Sequence, residues 1–224
     1  MSARDNILNK LRRALPAGDD SGAAPQVQDY YAQVPANSSR PERVAQLRTL
    51  LEAAHADVIV AKPDDWAQLT AERLLAMGVH KLALNEEDRD SRALVAALQG
   101  RVTLTGFNRP IEAWKQELFD TVDAGFTVAN SAIAATGTLV FKSAPELPRS
   151  LSLVPPLHVA LVKAETIHAH LFAAALDEQW AAAMPTNLVM VSGPSKTSDI
   201  QQTLAYGAHG PKQMLVVIVE GDAQ

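Results

Sequence analysis

The chain has 224 residues, 47% of them hydrophobic and 20% charged, with a formal net charge of −5 and no cysteine. That size and apolar share suit one globular domain, or one domain with a small appendage, around a sizeable core. The negative balance argues against a nucleic-acid surface, and the missing cysteines exclude disulfides, thiolate catalysis and Cys-ligated iron–sulfur clusters on this chain.

Ile7, Leu8, Leu11 and Leu15 share one face of a helical wheel, with Arg4, Lys10, Arg12 and Arg13 elsewhere. Residues 1–15 therefore read as an amphipathic helix that docks on its own domain or on a partner. The segment lacks the unbroken apolar core of a secretory signal, and no apolar run reaches the ~20 residues that cross a bilayer. No transmembrane segment is expected, and the location expected is cytoplasmic. Pro16 to Pro25 has the composition of a flexible linker, extending loosely to Arg40-Pro41. The organisation predicted is a helix and linker over 1–41 and an α/β domain over 42–224.

From there the chain alternates. Helices are predicted over 42–54, 64–77, 88–98 and around 112–119, with Gly78 and Gly100 as left-handed caps. Short runs apolar on both faces at 57–61, 81–84 and 102–105 read as buried strands. This is the rhythm of a mostly parallel sheet flanked by helices. Residues 126–141 are rich in small and hydroxyl side chains and suggest two short strands around a tight turn at Thr136-Gly137. Residues 158–162, 188–191 and 214–220 read as strands. A long helix is predicted over 165–180 and a shorter one over 198–206.

The chemistry gathers in two turns. The apolar run ending at Val191 enters Ser192-Gly193-Pro194-Ser195-Lys196-Thr197-Ser198-Asp199, and Gly207-Ala208-His209-Gly210-Pro211-Lys212 precedes the last strand. A hydroxyl-rich turn at the carboxyl end of a strand, leading into a helix, is how α/β proteins build anion sites. Ser198 to Gln201 fits a capping box, which accounts for Ser198 structurally. It does not account for Ser195, Lys196 and Thr197. The glycine spacing of a Walker A loop is missing, so a carboxylate or a single phosphate is the better ligand. One pocket is predicted from both turns, with Lys196 and His209 as charge-assisted donors and Thr136, Gly137 and Thr138 on its wall. Those three residues fit a plain hairpin turn equally well. Arg149, in a loop between prolines, is either a carboxylate clamp or a solvated charge. His158, opening a strand, is either a ligand contact or a capped structural histidine. His168 and His170, two apart on the predicted helix, diverge and make a poor metal pair, and no metal-ligand spacing such as HExxH occurs.

Four stretches taken together resemble the LUD domain family, in particular its lactate-utilization members. They are Ala135-Thr136-Gly137-Thr138, Pro155-Pro156-Leu157-His158, the Ser192–Ile200 segment and Gly207–Lys212. The likeness covers most of the chain. It implies a fold like that of sugar-phosphate isomerases, CoA-transferases and formyltetrahydrofolate cyclo-ligase, in agreement with the periodicity. It also implies a part in a multi-protein system converting L-lactate to pyruvate, in which companion subunits carry the iron–sulfur clusters. This chain then has no cofactor of its own and takes a small carboxylate or phosphate. The family commonly has Ala-Glu-Thr-Gly-Thr where this chain has Ala134-Ala135-Thr136-Gly137-Thr138. A glutamate there is the natural general base, so Ala135 counts against the alternative of a stand-alone enzyme on a small carboxylated or phosphorylated substrate. A regulatory binding module for such a ligand stays open beside the lactate-oxidation subunit.

Overall fold

The computed structural model describes residues 3–14, 30–31, 38–107, 109–198 and 204–221. The chain divides into two units, Met1–Pro35 and Ala36–Gln224. The first contains helix α1, Ala3–Ala14, with Asp5 in its first turn, where a carboxylate meets the positive end of the helix dipole.

In chain order the second unit begins with α2 (Arg40–Ala53), β1 (Asp57–Ala61), α3 (Trp66–Ala76), β2 (Lys81–Ala83), α4 (Arg89–Leu98), β3 (Thr103–Thr105) and α5 (Ile111–Asp120). It continues through β4 (Ala124–Val128), β5 (Ser131–Ile133), β6 (Thr138–Lys142), α6 (Ser150–Leu153), β7 (Leu157–Lys163), β8 (Ile167–His168), α7 (Leu171–Asp177) and α8 (Trp180–Ala183). It closes with β9 (Leu188–Val191), β10 (Lys196–Ser198), β11 (Leu204–Tyr206) and β12 (Gln213–Val219). The predicted α/β alternation is observed through α5, with bounds shifted by one or two residues. The local causes are visible. Glu42 accepts from both the N–H and the hydroxyl of Ser39 ahead of α2, and the Asp88 carboxylate accepts from the Ser91 N–H at the start of α4. Gly78 and Gly100 follow α3 and α4 with φ of 76° and 73°.

Six strands form one parallel sheet in the order β1-β12-β7-β4-β2-β3. The chain runs outward from β2 to β3, then returns to the other side of β2 to lay down β4. Both faces are covered, which is why the strands read as continuous apolar runs. In β12, Leu215, Val217 and Val219 join the core with α3 and α4, while Met214, Val216 and Ile218 face α2 and a second sheet. That second sheet, of order β8-β5-β6-β9, packs Leu139 and Phe141 on the parallel sheet and Ile133 and Val140 against α7 and α8.

Three expectations are corrected. Residues 124–142 form three strands rather than two: β4 belongs to the parallel sheet, and only β5 and β6 make the hairpin. The long helix over 165–180 is broken. Ile167-His168 pairs in parallel with Ala132-Ile133, the His170 ring accepts from the Ala173 N–H to start α7, and Gln179 turns left-handed at φ 52° before α8. His168 therefore ends a strand and His170 caps the following helix, so the two do not share a helix. Finally, residues 196–198 and 204–206 form an antiparallel ladder, Lys196 opposite Tyr206 and Ser198 opposite Leu204. Ser198 sits in a strand and starts no helix there. A β-branched residue such as Thr has a higher strand than helix propensity, which suits extended pairing here. Asp199 lies outside the described residues.

Glu117 ties α5 to the parallel sheet. Its carboxylate lies 2.8 Å from the Lys81 ammonium, also pairs with Arg109 and accepts from the Thr105 hydroxyl at 3.2 Å. The Lys81 hydrogen bond, reinforced by Arg109 and Thr105, holds its pKa at about 2, below the usual 4.5. A carboxylate with a depressed folded-state pKa stabilises above its unfolded value, and that stability is lost as pH falls through the folded one. Glu117→Gln is therefore expected to lower the thermal midpoint at pH 7. The gap from wild type should close as pH falls from 5 to 2. Thermal melts across that range check it, and a gap independent of pH would refute the ion-pair account.

Candidate functional site

The two predicted turns meet. The Ser195 N–H donates to the Pro211 carbonyl at 2.8 Å, and the Gly207 N–H donates to the Ser195 carbonyl at 3.0 Å. The His209 N–H makes a longer contact, 3.4 Å, with the Ser195 hydroxyl. Gly193 adopts φ 136°, and a side chain there would lie 2.8 Å from the Ala54 Cβ just beyond α2. The turn is thereby pinned between a helix end and the second turn. A β-carbon on Gly210 would come within 3.3 Å of the Ser195 Cβ, so that glycine permits the close approach of the two turns.

A cavity of about 320 Å³ opens beneath them, at the small end of the range for ligand pockets. Ser192, Gly193, Ser195, Lys196, His209, Gly210 and His158 all contribute to its lining. Its walls are largely apolar: Val189 and Val191 of β9, Met214 of β12, Leu153 of α6 and the two prolines, Pro194 and Pro211. Lys196 and His209 are exposed at the rim. No carboxylate lines the cavity among the described residues. The cavity lies at the carboxyl end of β9, as the turn pattern predicts. For the parallel sheet it lies at the opposite end, because His158 and Met214 are the second residues of β7 and β12.

The other predicted residues are placed differently. Thr136 and Thr138 do not line the cavity but reach its edge through a hydroxyl chain. The Thr136 and Thr138 oxygens are 2.7 Å apart, and Thr138 and Ser192 are 2.8 Å apart. Gly137 turns away at φ 62°, and a side chain there would strike the Leu50 Cβ at 2.6 Å. Arg149 precedes α6 and its carbonyl accepts from the Ser152 hydroxyl, so Ser152 rather than Arg149 contributes to the wall. Lys212 lays its stem over Gly207, outside the lining. Thr197 lies in β10.

His158 is the chemically distinctive member. It is 1% exposed, its Nε2 lies 2.7 Å from the Thr127 hydroxyl, and its Nδ1 is buried with no hydrogen-bond partner. Phe141 packs on the ring at 5.3 Å. Burial pushes its pKa down from 6.5 to about 3, so the imidazole is neutral at physiological pH.

A second concavity escaped the sequence reading. The topological switch point lies between β2 and β4, where ligand crevices of open α/β sheets form. A crevice of about 330 Å³ lies beside it, at the carboxyl ends of β2 and β3, lined by Asn85, Glu86, Glu87, Phe107 and Glu146. An adjoining cleft of about 250 Å³ is lined by Asp88, Ser91, Thr127 and Asn130. The signal in the sequence was the polar run Asn85-Glu86-Glu87-Asp88 directly after β2. Its charge disfavours an anion, whereas Lys196 and His209 favour one at the other cavity.

The LUD domain pattern matches residues 44–219 of this chain. The chain belongs to the LUD domain family. An uncharacterized protein of Neisseria meningitidis serogroup B is 38% identical over 229 residues, covering 99% of this chain and 95% of its own. Lactate utilization protein C of an Exiguobacterium species is 27% identical over 228 residues, covering 96% of this chain and 95% of its own. Among solved structures, a DUF162 family protein from Deinococcus radiodurans superposes with a TM-score of 0.60 at 20% identity, covering 81% of this chain and 99% of that one. That likeness concerns the fold. Within this LUD domain, Ala135 is exposed and its N–H donates to the Ala169 carbonyl at 3.0 Å. Ala135 lies in a 3-10 turn, Ala134–Thr136.

Proposed function

We propose that this LUD-domain chain serves lactate utilization as a non-redox component of L-lactate to pyruvate oxidation. It holds a small carboxylate beneath the two turns, while iron–sulfur clusters reside on partner subunits. The observation that carries this reading is the stitching of Ser195 to Pro211 and Gly207, which sets Lys196 and His209 at the rim of one apolar cavity. A cation at an otherwise apolar mouth suits a small acid, whose carboxylate stays at the wet rim while its carbon chain enters the dry interior. The names of relatives such as lactate utilization protein C supply the physiological setting. Ala135 and the absence of a carboxylate from the lining among the described residues favour binding over stand-alone catalysis, since a carboxylate is the usual general base.

Deleting the gene is expected to abolish or strongly slow growth on L-lactate while growth on pyruvate continues. Complementation by the wild-type chain should restore growth on L-lactate, and His209→Ala should restore it only partly. Normal growth of the deletion strain on L-lactate, in a background lacking other lactate dehydrogenases, would overturn the proposal.

A further inference from the structure

The two edges of the parallel sheet are unlike. β3 closes one side with three residues, short enough to be a poor template for another strand. β1 closes the other with five, and among the described residues it is hydrogen-bonded to a strand, β12, on one side only. Its register with β12 is unbroken. Its centre, Val58-Ile59-Val60, is β-branched throughout and carries no proline, charge or bulge, the devices by which sheet edges are kept apart. A groove of about 550 Å³ opens at this edge, lined by those three residues and flanked by Arg48 of α2 and by Leu69 and Arg73 of α3. Leu69 is 40% exposed there.

The surface is complementary to itself. Val58-Ile59-Val60 reads the same in both directions, so an antiparallel copy sets Ile59 against Ile59 and Val58 against Val60. Arg73 reaches Asp57 at 3.2 Å, so α3 runs back along β1. Leu69 precedes Arg73 by four residues, about 6 Å of helix. Ile59 follows Asp57 by two, about 6.6 Å of strand. Leu69 therefore stands level with Ile59. Asp65 is exposed and lies one turn before Leu69, whose N–H donates to the Asp65 carbonyl at 3.0 Å. Asp65, Leu69 and Arg73 thus form a stripe of acid, apolar residue and base on one face of the helix. A two-fold axis through Ile59 lays this stripe antiparallel on its copy. Leu69 then meets Leu69, and each Arg73 faces Asp65 of the second copy. The other charges of the groove are already engaged, Arg48 by Glu52 at 2.8 Å and Glu72 by Gln68 at 2.7 Å.

We propose that β1 and α3 form an isologous interface by which two copies of this chain pair. β1 lies antiparallel to β1, and the two six-stranded sheets become one across the dimer. The outward N–H and C=O groups of the edge gain partners, and Leu69 leaves water. No residue of this groove lines the cavity beneath the two turns, so the interface and the candidate site are separate surfaces.

Sedimentation equilibrium of the full chain is expected to give a mass twice the 24.0 kDa of one copy. Leu69→Lys should weaken the dimer by about tenfold or more. Arg73→Asp and Asp65→Arg should each do the same, because each sets like charges face to face twice per dimer. Mixing these two reversed chains should restore a dimer containing one copy of each, since every such contact is then acid against base. Asp65 makes no side-chain capping bond, so its reversal spares the start of α3. Should a reversed chain fail to fold, hydrogen exchange of the wild type replaces it. The β1 amides that point away from β12 should be protected in concentrated protein and exchange faster on dilution. A chain that stays monomeric at its highest soluble concentration, or a dimer indifferent to Leu69→Lys, would overturn the proposal. So would folded reversed chains that fail to pair on mixing, or β1 amides that exchange alike at both concentrations.

Discussion

Replacing Gly125 with alanine is expected to destabilise the domain by about 3 kcal/mol or more, at the upper end of what overpacking costs. Gly125 lies in the middle of the parallel sheet, on β4, paired with His158 of β7. A β-carbon there would sit 2.1 Å from the Leu151 carbonyl oxygen, 3.0 Å from its carbon and 3.2 Å from Pro155 Cγ. The first two obstacles are backbone atoms of α6, and the third is a ring with little freedom. No rotamer change relieves the contact, so either β4 or α6 must move. Leu151 is fully buried and packs with Trp114, Leu118 and Val122 of the α5 region, which resists displacement. Movement of α6 would also carry Ser152 and Leu153, two residues of the cavity wall. The urea midpoint of Gly125→Ala should therefore fall sharply at unchanged m-value. A loss under about 1 kcal/mol would mean that α6 yields freely and that the close approach is not a constraint.

Such a contact shows what a sequence discloses and what it withholds. β12 was legible because a strand buried on both faces is a continuous apolar run, and the half-buried edge strand β1 because Val58-Ile59-Val60 is β-branched throughout, while Gly78 and Gly100 closed their helices by a backbone need that only local chemistry sets. β4 was hidden because Gly125, selected by an approach to Leu151 26 positions away, interrupts the pattern that marks a strand. The segment after Lys196 misled for a related reason. Ser198 to Gln201 has the residues of a capping box, yet Lys196–Ser198 finds its partner in Leu204–Tyr206, and local pattern carries no record of pairing. Alanine-rich residues between 171 and 183 likewise extended a helix back over Ile167, which the edge of β5 claims. At the candidate site the two turns were legible from their punctuation. The walls were not, since periodicity tells that Met214 and Val189 are apolar but not which cavity they face. Nor could the pairing of Thr127 with His158, 31 positions apart, be read before the strand order was known.

Acidification is expected to destabilise the protein through that same histidine well before its paired carboxylates titrate. Burial holds the folded-state pKa of His158 at about 3, against 6.5 for the free side chain. Between those values the unfolded chain binds a proton that the folded chain refuses. Stability is thus fully present above pH about 6.5 and falls as the pH drops toward about 3. Each pH unit in that window costs about 1.4 kcal/mol, so a descent from pH 7 to pH 4 removes about 3 kcal/mol, a large share of the stability of an ordinary domain. Depressed carboxylates such as Glu117 contribute only below 4.5, which leaves pH 6.5 to 5 as the interval in which to compare histidine variants. Urea unfolding of wild type and His158→Phe at pH 7, 6 and 5 isolates the effect, because the remaining titratable groups are common to both. The wild type should lose about 2 kcal/mol more than the variant across that span. If the variant does not fold, the ring of His158 in the native protein should take up no second proton by NMR down to pH 5. Equal pH slopes for wild type and variant, or a His158 that titrates near 6.5 in the folded state, would mean that the imidazole is hydrated. The Nδ1 atom that has no hydrogen-bond partner in the protein would then be satisfied by water.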